Sequence, residues 1–261
     1  MRLAIAAALP LLLTLPARAE PLRAVYGVQA AGMQVMRVEV IFALDDPARY
    51  RIESRLSLTG VAGWLSQGRQ SNRVEGVWAG DQAWPIRFTG DGFWRGEARR
   101  VEIGYREGHP ALLRLSPAEE PDRESVPPGL RHNTVDSLTA LAQLTRNLAR
   151  TGRCEGQMAI FDGRRRADLA ARTLGRDRLA PWGGAWSGEA VRCGFTGRQI
   201  AGFRHEDGQE AREPQEGLAW MASPWPGAPI VPVRVEMPGR WLGRLTGYLL
   251  EAAPLAGSAG Q

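Results

Sequence analysis

Four groups of side chains have types suited to chemistry: three histidines, a run of acids, a run of arginines and two cysteines. His109, His132 and His205 stand in polar, loop-like stretches. No second His follows at the spacing that would put two imidazoles on one helix face, and no Cys-x-x-Cys is present, so a metal set is not expected. Glu119, Glu120 and Asp122 have the composition of a glycosidase pair, but that chemistry needs two carboxylates fixed across a cleft. Set among Pro117 and Pro121, they read as solvated loop acids. Arg164-Arg165-Arg166 has the charge to hold a phosphate or an anionic lipid headgroup. As a charge run it reads instead as a solvated strand face, with one Arg reaching across to an acid. Ser187 is out of register for a Gly-x-Ser-x-Gly elbow within Gly184–Gly188, and no phosphate loop or dinucleotide fingerprint occurs. The sequence therefore calls for no catalytic residue, no metal and no cofactor, and an enzyme is not expected.

Cys154 and Cys193 are the only cysteines. An even count in an exported chain points to a disulfide. Closing that loop of about forty residues is worth roughly 3–4 kcal/mol by chain entropy. Export itself is read from the start of the chain. Arg2 precedes the short apolar run Leu3–Leu15, and Ala17-Arg18-Ala19 fits a small-x-small cleavage site. The run is short for a membrane span, and no Cys follows it to take a lipid anchor. Residues 1–19 are thus expected to be a cleaved signal peptide, leaving a periplasmic chain with no stable membrane span. Cleavage would remove Arg2 and Arg18 and lower the formal charge from +5 to +3. Every basic residue among the 33 Lys+Arg is Arg, scattered among acids rather than gathered on one face. That pattern and the exported address argue against nucleic acid as a partner.

The elements that must position these groups are mostly strands. Met36, Val38, Val40, Phe42 and Leu44 share one face, with Arg37 and Glu39 on the other. Ile52, Ser54, Leu56 and Leu58 repeat the pattern. A period of two means a sheet with one buried face, usually antiparallel. Further strands are expected over Arg69–Trp78, Ala83–Thr89, Arg99–Tyr105 and Ala111–Leu115, separated by turns at Gly80-Asp81, Gly90-Asp91-Gly92 and Glu107-Gly108. Ser116–Asn133, with four prolines, reads as a long surface connection. Val135–Arg150 is the one convincing helix. Asn133 or Thr134 offers its N-cap, Asp136 lies in its first turn, and Gly152 stops it. Leu138, Leu141, Leu144, Thr145 and Leu148 form its apolar stripe. Asp162-Gly163 suits a type I′ hairpin turn. Val231, Val233, Val235 and Met237 alternate before a last strand Arg240–Leu250, and a disordered tail is expected over 254–261.

The expectation is one β-rich domain over residues 20–253: a mainly β fold in which a strongly curved antiparallel sheet or half-barrel wraps one central amphipathic helix. Nine tryptophans would largely fill the space between helix and sheet. Trp64 and Leu65, on the Gly-flanked turn Gly60–Gln67, are the candidates for a pocket mouth.

The chain resembles the exported bacterial family known as domain of unknown function 3108. The matching features are Tyr26-Gly27-Val28, Tyr50-Arg51-Ile52, the Gly60–Leu65 turn, Pro127-Pro128, Asp136-Ser137-Leu138-Thr139-Ala140-Leu141, Phe161-Asp162-Gly163-Arg164-Arg165 and Pro232-Val233-Arg234-Val235-Glu236. Ser137 departs from the proline more usual there. The resemblance implies a fold similar to the periplasmic lipoprotein-localisation carriers, a half-barrel with a helix inside. It also implies a cavity for acyl chains or another apolar ligand. Leu138, Leu141 and Leu148 would wall that cavity. The partner expected is an apolar small molecule or lipid; the sequence names no protein partner. The competing readings are an envelope interaction protein with a packed core and, third, a hydrolase.

Overall fold

The structure, a computed structural model, describes residues 20–60, 63, 68–94, 96–239 and 243–255. The expected signal peptide, Trp64 and Leu65 lie outside these residues. Strands β1 (Leu22–Ala30), β2 (Met33–Ala43), β3 (Arg49–Leu58), β4 (Arg69–Ala79), β5 (Gln82–Trp94), β6 (Glu97–Arg106) and β7 (His109–Ser116) come first. Helix α1 (Ser137–Thr151) follows. Strands β8 (Gly156–Phe161), β9 (Arg166–Leu179), β10 (Gly188–Ala201), β11 (Gln215–Ala222), β12 (Val231–Pro238) and β13 (Arg244–Pro254) complete the chain.

All thirteen strands join one antiparallel sheet in the order β7-β6-β5-β4-β3-β2-β1-β13-β12-β11-β10-β9-β8. The sheet is thus two meanders welded along β1 and β13. It is curved and does not close: β7 and β8 are its two free edges. This is the mainly β architecture expected, with its helix.

Alternation makes the core. Reading across neighbouring strands, Leu22, Phe42, Ile52, Val74, Phe88 and Ile103 pair in succession as one inward row. Each is buried, so the row is a continuous apolar band under the helix. Helix α1 lies on this inner face against β3, β4, β5 and β8. Leu138 and Leu148 are buried and Leu141 and Leu144 are partly buried against the two core clusters. Both ends of the helix are tied down. Val135 exchanges backbone hydrogen bonds with Ala159 and Phe161, which fixes the start to β8. Three residues beyond its end, Cys154 is disulfide-bonded to Cys193 of β10.

Several details differ from the sequence-based expectation. The N-cap is Asp136, whose Oδ1 accepts from the Leu138 and Thr139 amides at 3.0 and 2.9 Å. Val135, expected to be helical, is instead spent on the bridge to Ile160. Gly90-Asp91-Gly92 does not turn; it lies within β5. A Cβ at Gly90 would lie 2.9 Å from Asn72 Oδ1, and one at Gly92 2.8 Å from Gln70 Oε1. These glycines serve close approach across the sheet rather than a bend. The β8–β9 hairpin is present, but its loop is four residues, since Phe161 pairs with Arg166. Asp162 Oδ1 accepts from the amides of Arg164 and Arg165, an Asx-type closure in place of a type I′ turn. The last strand runs Arg244–Pro254, so Pro254 still pairs, with Leu22, and Leu255 N–H donates to Pro21 O. Among the tryptophans whose side chains are described, Trp78 and Trp220 are buried and Trp186 and Trp225 pack partly buried against the core, as expected of most of the set, whereas Trp84 and Trp182 are exposed.

Candidate functional site

The inner face of the sheet changes character along β4, β5 and β6. Beyond the apolar row, the next rows inward bring Ser54, Asn72 and Gly90, then Gln70, Gly92 and Arg99. Gln70 Nε2 donates to Asn72 Oδ1 at 2.9 Å, and Asn72 Nδ2 donates to Ser54 Oγ at 3.4 Å. Gly90 and Gly92 leave the space these two side chains occupy. Polar groups on the core-facing side of a sheet are costly unless satisfied. Here they satisfy one another in a short chain, and Arg99 lies in the same row as Gln70, across Gly92.

Arg99 is one of several guanidinium groups gathered on a single carboxylate. Glu120, in the connection between β7 and α1, has a side chain only 5% exposed. It is paired with Arg99, with Arg123 at 2.7 Å and with Arg164 at 2.9 Å; Arg204 stands 3.9 Å away. These arginines come from β6, the connection, the β8–β9 loop and the segment after β10. The cluster therefore sits at the seam where the free edges face each other. Three backbone contacts support it: Arg164 Nη2 donates to Pro117 O, Arg123 Nη1 to Gly202 O, and Glu124 N to Phe203 O. The hairpin tip presses on the opposite edge, since a Cβ at Gly163 would lie 2.5 Å from Val101 Cγ2. Burial alone would raise the Glu120 carboxyl, but the hydrogen bond from Arg123 and the charges of Arg164 and Arg99 outweigh it and hold it below the usual carboxylate range. Burial lowers the Arg164 guanidinium despite Glu120, and Arg99 and Arg123 add to the lowering.

A cleft of about 670 Å³ opens over this cluster. Arg99, Arg100, Arg123, Arg164, Arg165 and Arg204 line it, with Asp162 the one acid among its lining residues. Gln70 and Asn72 supply neutral polar groups, and Phe88, Val101 and Leu245 supply apolar surface. A second cleft of about 640 Å³ shares Arg123, Arg165 and Arg204 and adds Leu169, Phe195 and Met237.

A second buried acid lies beneath the helix start. Asp136 accepts from Thr139 Oγ1 at 2.7 Å, and the Tyr50 and Thr139 hydroxyls are hydrogen-bonded at 3.0 Å. Because the single Thr139 proton goes to Asp136, the Tyr50 hydroxyl donates. Burial raises the Asp136 carboxyl in spite of its hydrogen bonds to Thr139 and Leu138. This group caps a helix and faces no cleft described above.

Of the residues singled out in the sequence, Cys154 and Cys193 form a disulfide. Leu138, Leu141 and Leu148 sit on the helix's packed face and are not among the residues lining either large cleft. His109 and His132 come together, Nδ1 to Nδ1 at 3.5 Å, at an exposed position. His205 donates its amide to Asp122 O. Among the described residues no cluster of three metal-ligating side chains occurs. Glu120, read as solvated, is instead the centre of the seam. Arg99, Arg123, Arg204, Gln70 and Asn72 were not singled out. One signal was present for Arg99: it is in phase with Val101 and Ile103, the inward positions of its strand.

The sequence model of the family described as protein of unknown function (DUF3108) matches residues 23–207. No functionally curated protein matches the chain. Among solved structures, the beta-barrel-like protein of domain of unknown function DUF1849 from Brucella abortus is 13% identical, with a TM-score of 0.53 over 90% of this chain and 98% of that one. A protein from Parabacteroides distasonis, described as a candidate lipoprotein, is 10% identical over 90% and 96%, with a TM-score of 0.35. The first shares the fold; the second is too distant in shape to carry an argument.

Proposed function

The chain belongs to the DUF3108 family of unknown function, and on that footing we propose that it is an exported, non-catalytic binding protein for a lipid or other amphiphilic small molecule. The observation that carries this reading is the large cleft on the inner face of an unclosed half-barrel, lined by arginines and neutral polar groups with the apolar surface of Phe88, Val101 and Leu245 beside them. Phe88 lines the cleft and belongs to the same core cluster as Leu138 and Leu141. An apolar tail passing Phe88 would therefore run toward the helix face of Leu138 and Leu141, and further on toward Leu148. Trp64 and Leu65 would stand at the mouth in this reading. The periplasmic address rests on the charged, apolar and small-residue pattern of residues 1–19. A pocket with apolar walls and a few convergent polar groups is the usual form of a small-molecule site.

Native mass spectrometry of protein purified gently from the periplasm tests the reading. A bound species of lipid mass, released by organic solvent, is the expected result. Protein that is ligand-free by this measure and takes up no lipid on incubation would remove it. The burial of Leu138 and Leu148 favours a second reading, an envelope interaction protein with a filled interior. In that case envelope extracts would yield a specific protein partner and no lipid.

A further inference from the structure

We infer that the arginine-lined cleft is an oxyanion site, which takes the phosphate or carboxylate end of the amphiphile; this rests on the binding role proposed above. Joining two sheet edges needs one ion pair. The seam holds far more than that: four guanidinium groups with side chains 12–21% exposed converge on Glu120. Of the other acids within reach, Glu97 and Asp122 are turned outward at 63% and 53% exposed, Asp162 at 30% is taken up by Arg165, and half-buried Asp207 accepts from the Arg204 amide. Cationic charge thus exceeds anionic charge on the buried side of the cleft.

Donor capacity is also in excess. Each guanidinium carries five N–H groups in a planar fork suited to two oxygens of one anion. The buried Arg99 Nε has no hydrogen-bond partner among the described residues. Arg165, 57% exposed, is held by Asp162 at 2.8 Å on the hairpin tip. It lines the cleft and can swing toward an incoming group. An added anion would also relieve the mutual repulsion that, with burial, depresses Arg164. Gln70 and Asn72 offer amide groups beside the same space. The apolar surface of Phe88 and Val101 lies next to it, which matches a molecule with one charged end.

The test is titration calorimetry of the full mature chain with three probes: dihexanoyl phosphatidylglycerol, the uncharged dihexanoylglycerol and inorganic phosphate. The anionic lipid should bind at least about tenfold more tightly than the uncharged one, the scale of one charge-assisted hydrogen bond. Arg165→Gln should weaken the anionic lipid by about tenfold and leave the uncharged one unchanged. Arg165 is solvent-exposed, so the variant should fold, and unchanged thermal melts would confirm it. If inorganic phosphate binds as tightly as the anionic lipid and with the same dependence on Arg165, the oxyanion site stands and the lipid reading falls. If both lipids bind alike and the variant changes nothing, the oxyanion site falls and the lipid reading stands. Absence of binding by all three probes would overturn both.

Discussion

Two regions of this molecule solve the same problem, holding separate pieces of chain together, by opposite physics. The helix–sheet interface is dry, with Leu138 in the cluster built on an apolar row that crosses six strands and Leu148 in a second cluster that holds the disulfide. The seam between the free edges is built on charge, with arginines from four segments around Glu120. The dry interface rests mainly on area and shape, and pH reaches it through the buried Asp136 at the helix start. The charged seam needs one ionised carboxylate, and its strength follows that group. A ligand that brings an anion has something to gain at the second region and nothing at the first.

The largest effect that separates the two is expected from Glu120→Ala. It leaves Arg99, Arg123 and Arg164 buried without their counter-charge, a loss of about 3–5 kcal/mol when one partner of a buried pair is removed. Urea melts measure it, and a cost below about 1 kcal/mol, the range of exposed pairs, would mean that the seam is not structural. Replacing both cysteines by Ser should cost roughly 3–4 kcal/mol by the loop-entropy estimate. Its effect should add to that of Glu120→Ala, because the two regions share no partner; strong non-additivity would merge them into one. Asp136→Ala should cost about 1–2 kcal/mol through the lost cap, while Asp136→Asn, itself a good cap, should restore most of that.

The two buried acids should also give opposite pH signatures. Glu120 has a folded-state pKa below its unfolded value. Its contribution is therefore full above the ordinary glutamate value of about 4.3 and is lost as pH falls through the lowered one. Asp136 is raised, so its contribution is full below about 3.9 and is lost as pH rises through the raised value. Stability measured from pH 3 to 7 should show an acid-side loss that disappears in Glu120→Gln. An unchanged loss in that variant would place the sensitive group elsewhere. The smallest effect is on Arg165→Gln: within about 0.5 kcal/mol of stability, as for exposed positions, whatever it does to binding.

Sequence reading was strongest where one local rule decides the outcome. The alternation of Met36–Leu44 and Ile52–Leu58 with a period of two marked strands with one buried face. The leucine spacing from Leu138 to Leu148 marked a helix with one buried side. It was weakest where two rules compete. Gly90-Asp91-Gly92 carries a turn signal, yet the room it leaves for Asn72 and Gln70 keeps it inside a strand. Asn133, Thr134 and Asp136 can all cap a helix, and the pairing of Val135 with β8 selected the last.

The β-rich class, the helix and the pairing of the two cysteines are determined by the amino-acid sequence itself, because composition and short-range periodicity are local properties of a chain. The arginine cluster is of another kind. Arg99, Glu120, Arg164 and Arg204 come from separate segments, and Glu120 and Arg164 read as solvated charges in their own neighbourhoods. Only the curvature of the sheet, which brings its first and last edges face to face, places them around one carboxylate and turns ordinary surface charges into a buried, partly unsatisfied group of cations.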